Sequence, residues 1–189
     1  MEEKATVLKD VCAALDLGRA EAAAGILRER YPFIRLVNAG RQGSFNRDMA
    51  VFVRDGFIDR YSGKKLVFPG TLRSISKLLP DQFPFHRNWR TDACHSGYWE
   101  LFPTIDHITP VARGGTNEES NLVTTSIVRN VAKANFTLEE LGWKLFPKGD
   151  ATEWDGLTRW FLDRAQNDAT LHSDDYLRKW FAAASSALR

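Results

Sequence analysis

Between positions 106 and 133 the chain changes character in an order that few folds accommodate. The run Pro103-Thr-Ile105 ends on Asp106-His107. Pro110 and Gly114-Gly115 then open a polar loop that reaches Asn121. Leu122-Val123-Thr-Thr125 is again apolar and β-branched, and Ser126-Ile-Val-Arg129-Asn130-Val-Ala-Lys133 follows. Proline and paired glycines stop a strand and permit a wide loop. The stretch is therefore expected to form a two-stranded hairpin, with a helix from about Thr125 or Ser126 to Ala134 laid across it. On that helix Asn130 and Lys133, three apart, share one face. Ile127 and Val131 are expected on its apolar side.

The polar residues of this stretch make a chemical set. His107 is a base, Asp106 and Asn130 are oxygen ligands for a hard cation, and Asn121 is an amide that can orient the loop. Metal-assisted cleavage of a phosphodiester needs these parts. Neighbours in a strand face opposite sides, so Asp106 and His107 converge only if the strand ends and twists there. Asparagine is a mediocre helix former, which makes a mid-helix Asn130 informative.

Asp106-His107, Asn121 and Asn130 resemble the motif of the HNH (His-Asn-His/Asn) endonucleases, the ββα-metal fold, with Asn130 where the last histidine often stands. The resemblance is close up to Lys133. It extends loosely back to Arg54-Asp55 and Tyr61-Ser-Gly63, where related domains place the first knuckle of a zinc site. The knuckle cysteines are absent here. Tyr98-Trp-Glu-Leu-Phe-Pro103 and Leu138-Glu-Glu-Leu-Gly-Trp143 resemble bacterial proteins known only through this nuclease domain. The resemblance implies an α+β fold, an HNH core elaborated by N- and C-terminal helices. It assigns His107 as the general base, and an imidazole titrating near about 6.5 suits that task. Asp106 and Asn130 would hold Mg²⁺, with Mn²⁺ as substitute, and Asn121 would tie the loop to the backbone beside His107 and fix the ring direction, with Asn117 as a rival. Lys133, Arg129 and Arg113 are candidates for phosphate contacts, and Arg87 and Arg90, beside His86, for substrate contacts.

The bulk numbers narrow the setting. With 189 residues, 43% of them apolar, and six tryptophans, the chain can bury a sizeable core in one domain with a small appendage. No apolar run is long enough for a membrane span, and Met1-Glu2-Glu3-Lys4 lacks the layout of a signal peptide. A cytoplasmic protein is expected. Two cysteines, Cys12 and Cys94, cannot build a four-cysteine zinc site, so free thiols and no structural zinc are expected. The net charge of +2 does not announce a nucleic-acid partner. The bases, however, gather before and within the motif while acids gather at both ends, which would give a one-sided field.

Along the chain, residues 3 to 31 read as two helices broken at Gly18, and residues 33 to 60 as mixed, with turns at Gly40 and Gly43 and a strand over Met49–Val53. Thr71–Leu79 reads as a helix, Asp81–Trp99 as an irregular loop, and Tyr98–Ile105 as a strand that approaches the motif. Thr137 and Glu140 form a capping-box pair. Two C-terminal helices are expected, about Glu153–Gln166 and Ser173–Leu188, the second capped by Ser173. Three regions follow: 1–48 helical, 49–148 the nuclease core, and 149–189 a helical pair packed on it.

The leading expectation is a metal-dependent DNA endonuclease. An RNase or toxin-like nuclease of the same fold is the alternative. A catalytically silent nucleic-acid-binding module is a further one, favoured only if Asp106, His107 or Asn130 were missing, and none is. Restriction, phage defence and mobile-element roles all suit such a chain. The aromatics Trp154, Trp160, Trp180 and Phe181 are expected in the core, and any remainder left outside could form a homodimer interface.

Overall fold

The computed structural model describes residues 4–32 and 44–188; the turns expected at Gly40 and Gly43 and the side chain of His172 lie outside the described residues. The chain divides into two units, Met1–Val37 and Asn38–Arg189. In the first, α1 (Lys4–Asp16) and α2 (Ala20–Arg30) form a helical hairpin, as their spacing implied. Val7, Val11 and Ala23 are buried, and Arg30 pairs with Asp10 at 2.8 Å.

The second unit begins with α3 (Phe45–Arg54), which contains the 48/49 line drawn from the sequence. Here the expected strand over Met49–Val53 is corrected to helix. Ser44 caps it by accepting from the Arg47 amide, and Met49 and Phe52 lie three apart on the buried side. A five-residue apolar run cannot distinguish the two periods; the cap and the flanking Phe45 decide. At the end of α3, Gly56 is held with its Cα so close to Gly149 that a Cβ would sit 2.3 Å from the Gly149 carbonyl carbon. There follow α4 (Pro69–Leu78), α5 (Gly97–Leu101), β1 (Pro103–His107), β2 (Leu122–Ser126), α6 (Ile127–Lys133), α7 (Leu138–Leu141), α8 (Thr158–Asn167), α9 (Ala169–His172) and α10 (Asp175–Ala187). The strand expected from Tyr98 is corrected at its start: Gly97–Leu101 is helix, which turns Tyr98 into the cluster with Leu72, and the strand begins at Pro103. The architecture is α+β. The α7 capping box forms as expected, while α10 is capped by Asp174 rather than Ser173.

Phe52, Phe57, Phe68, Phe161 and Trp180 make the main core, where α3, α4 and α8 meet α10. Burying side chains of this size contributes roughly 1.5–3 kcal/mol each. A second aromatic cluster centres on Tyr98, whose hydroxyl bonds Ser76 at 2.6 Å and the Leu72 carbonyl at 3.1 Å. It fastens the irregular segment 81–96 to α4. Within that segment His86 Nδ1 accepts from the Asn88 amide and His95 Nδ1 from the Gly97 amide, so both imidazoles act in the loop's own structure.

Strands β1 and β2 pair antiparallel, with Ile105 opposite Thr124 and His107 opposite Leu122. All five residues of β2 are buried. A strand covered on both faces must satisfy its polar groups internally, and two buried carboxylates do much of this, with the Val51 carbonyl accepting from the Thr124 hydroxyl. Asp55 accepts from the Thr124 amide at 2.8 Å and pairs with Arg54 and Arg60. Asp59 accepts from the Thr125 hydroxyl at 3.0 Å and the Ser126 hydroxyl at 2.7 Å. Arg54 also donates to the carbonyls of Glu119 and Leu122. The hairpin is thus pinned along β2 to the 55–60 turn, which fixes where β1 ends.

Candidate active site

His107 is the last residue of β1 and is half-buried. Its Nε2 lies 2.9 Å from Asn117 Oδ1. An amide oxygen only accepts, so Nε2 is the donor in this pair, and in the neutral ring Nδ1 is the nitrogen with the lone pair. Arg47 supports the arrangement by donating to the Asn117 carbonyl at 3.0 Å. The ring is therefore oriented by Asn117 rather than Asn121, while Asn121 ties the loop to the backbone beside His107 as expected. Its Oδ1 accepts from the Thr109 amide at 2.8 Å, and its Nδ2 donates to the carbonyls of Thr109 at 3.0 Å and Thr116 at 2.8 Å. Asn121 closes the loop behind His107. The loop is tight at Gly115, where a Cβ would lie 1.8 Å from the Thr109 carbonyl oxygen.

Asp106 and His107 do not converge. His107 lines a cavity beside α3, whereas Asp106, 5% exposed, turns to α6. Its Oδ2 accepts from the Tyr61 hydroxyl at 2.7 Å and lies 2.9 Å from Lys133 Nζ. Lys133 was expected at a phosphate. It is instead fully buried, donating also to the His107 carbonyl at 2.7 Å. An ammonium removed from water needs a carboxylate and acceptors around it, and these are what Lys133 has found. Burial, and then the Asp106 charge and hydrogen bond, push the Tyr61 phenol far above its ordinary range.

Asn130 lies on the same side of β1 as Asp106, donating through Nδ2 to Thr104 Oγ1 at 3.0 Å and the Ile105 carbonyl at 3.3 Å. Helix α6 thus turns polar residues inward. Val131, assigned to an apolar inner face from the sequence, is 73% exposed, and Val128 is 48% exposed. The inversion follows from the polar work at the hairpin: hydrogen bonds to Thr104, Asp106 and His107 are available only to the Asn130–Lys133 face.

The basic candidates are dispersed. Arg113 pairs with Glu140 at 3.1 Å, and Arg90 pairs with Asp92. Arg129 sits over the Trp143 ring, 5.3 Å from its centroid. Arg87 is exposed at the rim of a separate cavity. Arg47, Asn117, Asp55, Asp59 and Tyr61 complete the surroundings of the motif. Of these, Asp55 and Tyr61 lie in stretches that the resemblance touched loosely, and Arg47 carried no sequence signal. Burial raises the carboxyl of Asp48, beside Arg47 in the cavity wall, above its ordinary value, with Arg47 only partly offsetting it.

Among the described residues no three or more His, Cys, Asp or Glu side chains cluster as a metal site, and no helix is long and apolar enough to cross a membrane. Two oxygens at α6 are of the kind a hard cation takes. Asp106 uses Oδ2 for Lys133 and Tyr61, which leaves Oδ1, and Asn130 uses Nδ2, which leaves its amide oxygen. Magnesium takes such oxygens and fills its shell with water and substrate phosphate. Lys133 beside the same carboxylate opposes tight binding in the absence of substrate. Of the C-terminal aromatics, Trp180 is in the core, Trp154 donates to the Leu66 carbonyl, and Trp160 is 42% exposed.

Comparison of the chain with protein-family models, curated proteins and solved structures returns no match.

Proposed function

We propose that the chain is a metal-dependent endonuclease of the ββα-metal type that hydrolyses DNA phosphodiester bonds, with His107 as general base. The observation that carries the reading is the pair His107–Asn117 at the end of β1. It holds an imidazole whose Nδ1 is left to take a proton from water, on a hairpin whose other face carries Asp106 and is covered by α6, the helix of Asn130. A scissile phosphate would lie across the end of β1, between these two sides.

Each residue then has a task. His107 Nδ1 removes the proton from the attacking water. Asn117 holds the tautomer and the ring direction, and Asn121 and Gly115 hold the loop that carries Asn117. Asp106 and Asn130 would hold a divalent cation, which when bound supplies charge stabilisation at the phosphoryl oxygens. Lys133 and Tyr61 position the Asp106 carboxylate from within the core.

The test is nicking of supercoiled plasmid, with an RNA of similar length in parallel. Cleavage is expected with Mg²⁺ or Mn²⁺ and none in chelator. His107→Ala is expected to lose roughly 10²–10⁴-fold in rate with an unchanged circular-dichroism spectrum. Cleavage that persists in chelator, or at full rate in the variant, overturns the reading; cutting confined to RNA would change the substrate and keep the chemistry.

A further inference from the structure

Two cavities share a wall, and His107 lines one of them. The first, about 420 Å³, has His107 and Arg47 at its polar end and Phe45 and Trp180 among its aromatic lining. The second, about 290 Å³, is walled by Phe85, Trp89 and Tyr98 and carries Arg73 and Arg87. Phe102 and Tyr176 line both.

The arginines of the second cavity differ from most others in this unit. Arg54, Arg60, Arg90, Arg113, Arg164 and Arg178 all pair with carboxylates. Among the described residues no carboxylate pairs with Arg73 or Arg87. The Arg73 guanidinium lies over the Phe85 ring, 3.9 Å from its centroid. A guanidinium held against a ring face keeps its charge and its five N–H donors, the groups that recognise a phosphate.

We propose that the two cavities hold successive unstacked bases of a single nucleic-acid strand, with Arg73 and Arg87 on its phosphates and the strand leading to His107. A duplex offers a protein its phosphates and groove edges, for which a flat basic surface suffices. Aromatic-walled cavities accept a base only when it has left the stack. Positive charge without acidic partners supplies the complementary half of the recognition. The proposal rests on the nuclease reading for the direction of the strand, and names single-stranded or locally opened nucleic acid as its substrate.

Binding is measured in chelator, where cleavage does not intervene, by fluorescence anisotropy of a labelled oligothymidylate. Two competitors of equal length are used: an abasic strand with the same phosphates, and a duplex. The oligothymidylate is expected to bind at least about thirtyfold more tightly than the abasic strand, the low end for two stacked bases, and more tightly than the duplex. Arg87→Ala, a change at an exposed position, and Arg73→Ala should each weaken binding and reduce the dependence of log K on log salt by about one. Equal affinity for thymidylate and abasic strands, preference for the duplex, no binding, or unaltered binding by both variants would overturn the proposal. Cleavage in Mg²⁺ is scored separately. A strand that binds but is never cut defeats the nuclease reading alone, and a duplex cut without base-dependent binding defeats this proposal alone.

Discussion

Replacing Lys133 by Met keeps most of the side-chain volume and removes the ammonium. Lys133 is fully buried, with Nζ 2.9 Å from Asp106 Oδ2 and 2.7 Å from the His107 carbonyl. The variant would leave a carboxylate that is 5% exposed with the Tyr61 hydroxyl as its remaining partner. Breaking a buried pair by removing one member costs about 3–5 kcal/mol. Because Tyr61 still donates, the lower end applies, about 3 kcal/mol. The unpaired His107 carbonyl adds about 1 kcal/mol. A loss of roughly 4 kcal/mol would lower the melting temperature by about 8–16 °C in a domain of this size. Thermal and urea unfolding followed by tryptophan fluorescence, in chelator so that no cation contributes, measures it. Asp106→Asn combined with Lys133→Met removes the stranded charge, and the loss should fall to about 1–2 kcal/mol. A single variant within about 1 kcal/mol of the parent, or the same loss in the Asp106→Asn background, would refute the assignment of Lys133 as the buried partner of Asp106.

The Tyr61 phenol, held protonated in the fold far above its ordinary 10.0 by burial and by Asp106, makes the protein sensitive to alkali. The unfolded chain releases this proton near 10 and the folded chain keeps it, so the contribution is whole below pH 10 and falls by about 1.4 kcal/mol per unit above it; Tyr61→Phe should flatten alkaline unfolding curves, and an unchanged slope would contradict the bond. Asn117→Ala should leave the melting temperature in place and slow cleavage by about 10²-fold, the scale of a misplaced group, whereas Asn121→Ala, which loses three side-chain hydrogen bonds, should lose about 2–3 kcal/mol of stability; reversed effects in unfolding and rate measurements would exchange their roles. Gly115→Ala forces a Cβ against the Thr109 carbonyl at 1.8 Å, and cleavage should fall while circular dichroism changes little; full activity would show that the loop accommodates the methyl group.

Local chemistry was legible where it is self-contained. The hairpin and the following helix could be read from Pro110, Gly114-Gly115 and the β-branched run at 123–125, and the α7 capping box from Thr137 and Glu140 alone. Elements that depend on distant partners were not legible. Met49–Val53 is helical because of the Ser44 cap and a core completed by Trp180, which a short window does not contain. Lys133 looks like a surface cation on a helix until Tyr61 and Asp106 are brought to it. The inward polar face of α6, the reverse of ordinary amphipathicity, follows from those same contacts. Asn117 and Asn121 stand in one loop with identical chemistry, and only the folded loop assigns one to the ring and the other to the backbone.

The claim at the centre of this account is that the His107 imidazole takes the proton from the attacking water. Single-turnover cleavage of one labelled DNA by His107→Ala, with and without free imidazole in the buffer, tests it most directly. The variant should be slower by at least about 10²-fold, and imidazole should restore part of the lost rate without changing substrate affinity. A variant that cuts at the parent rate would contradict the claim.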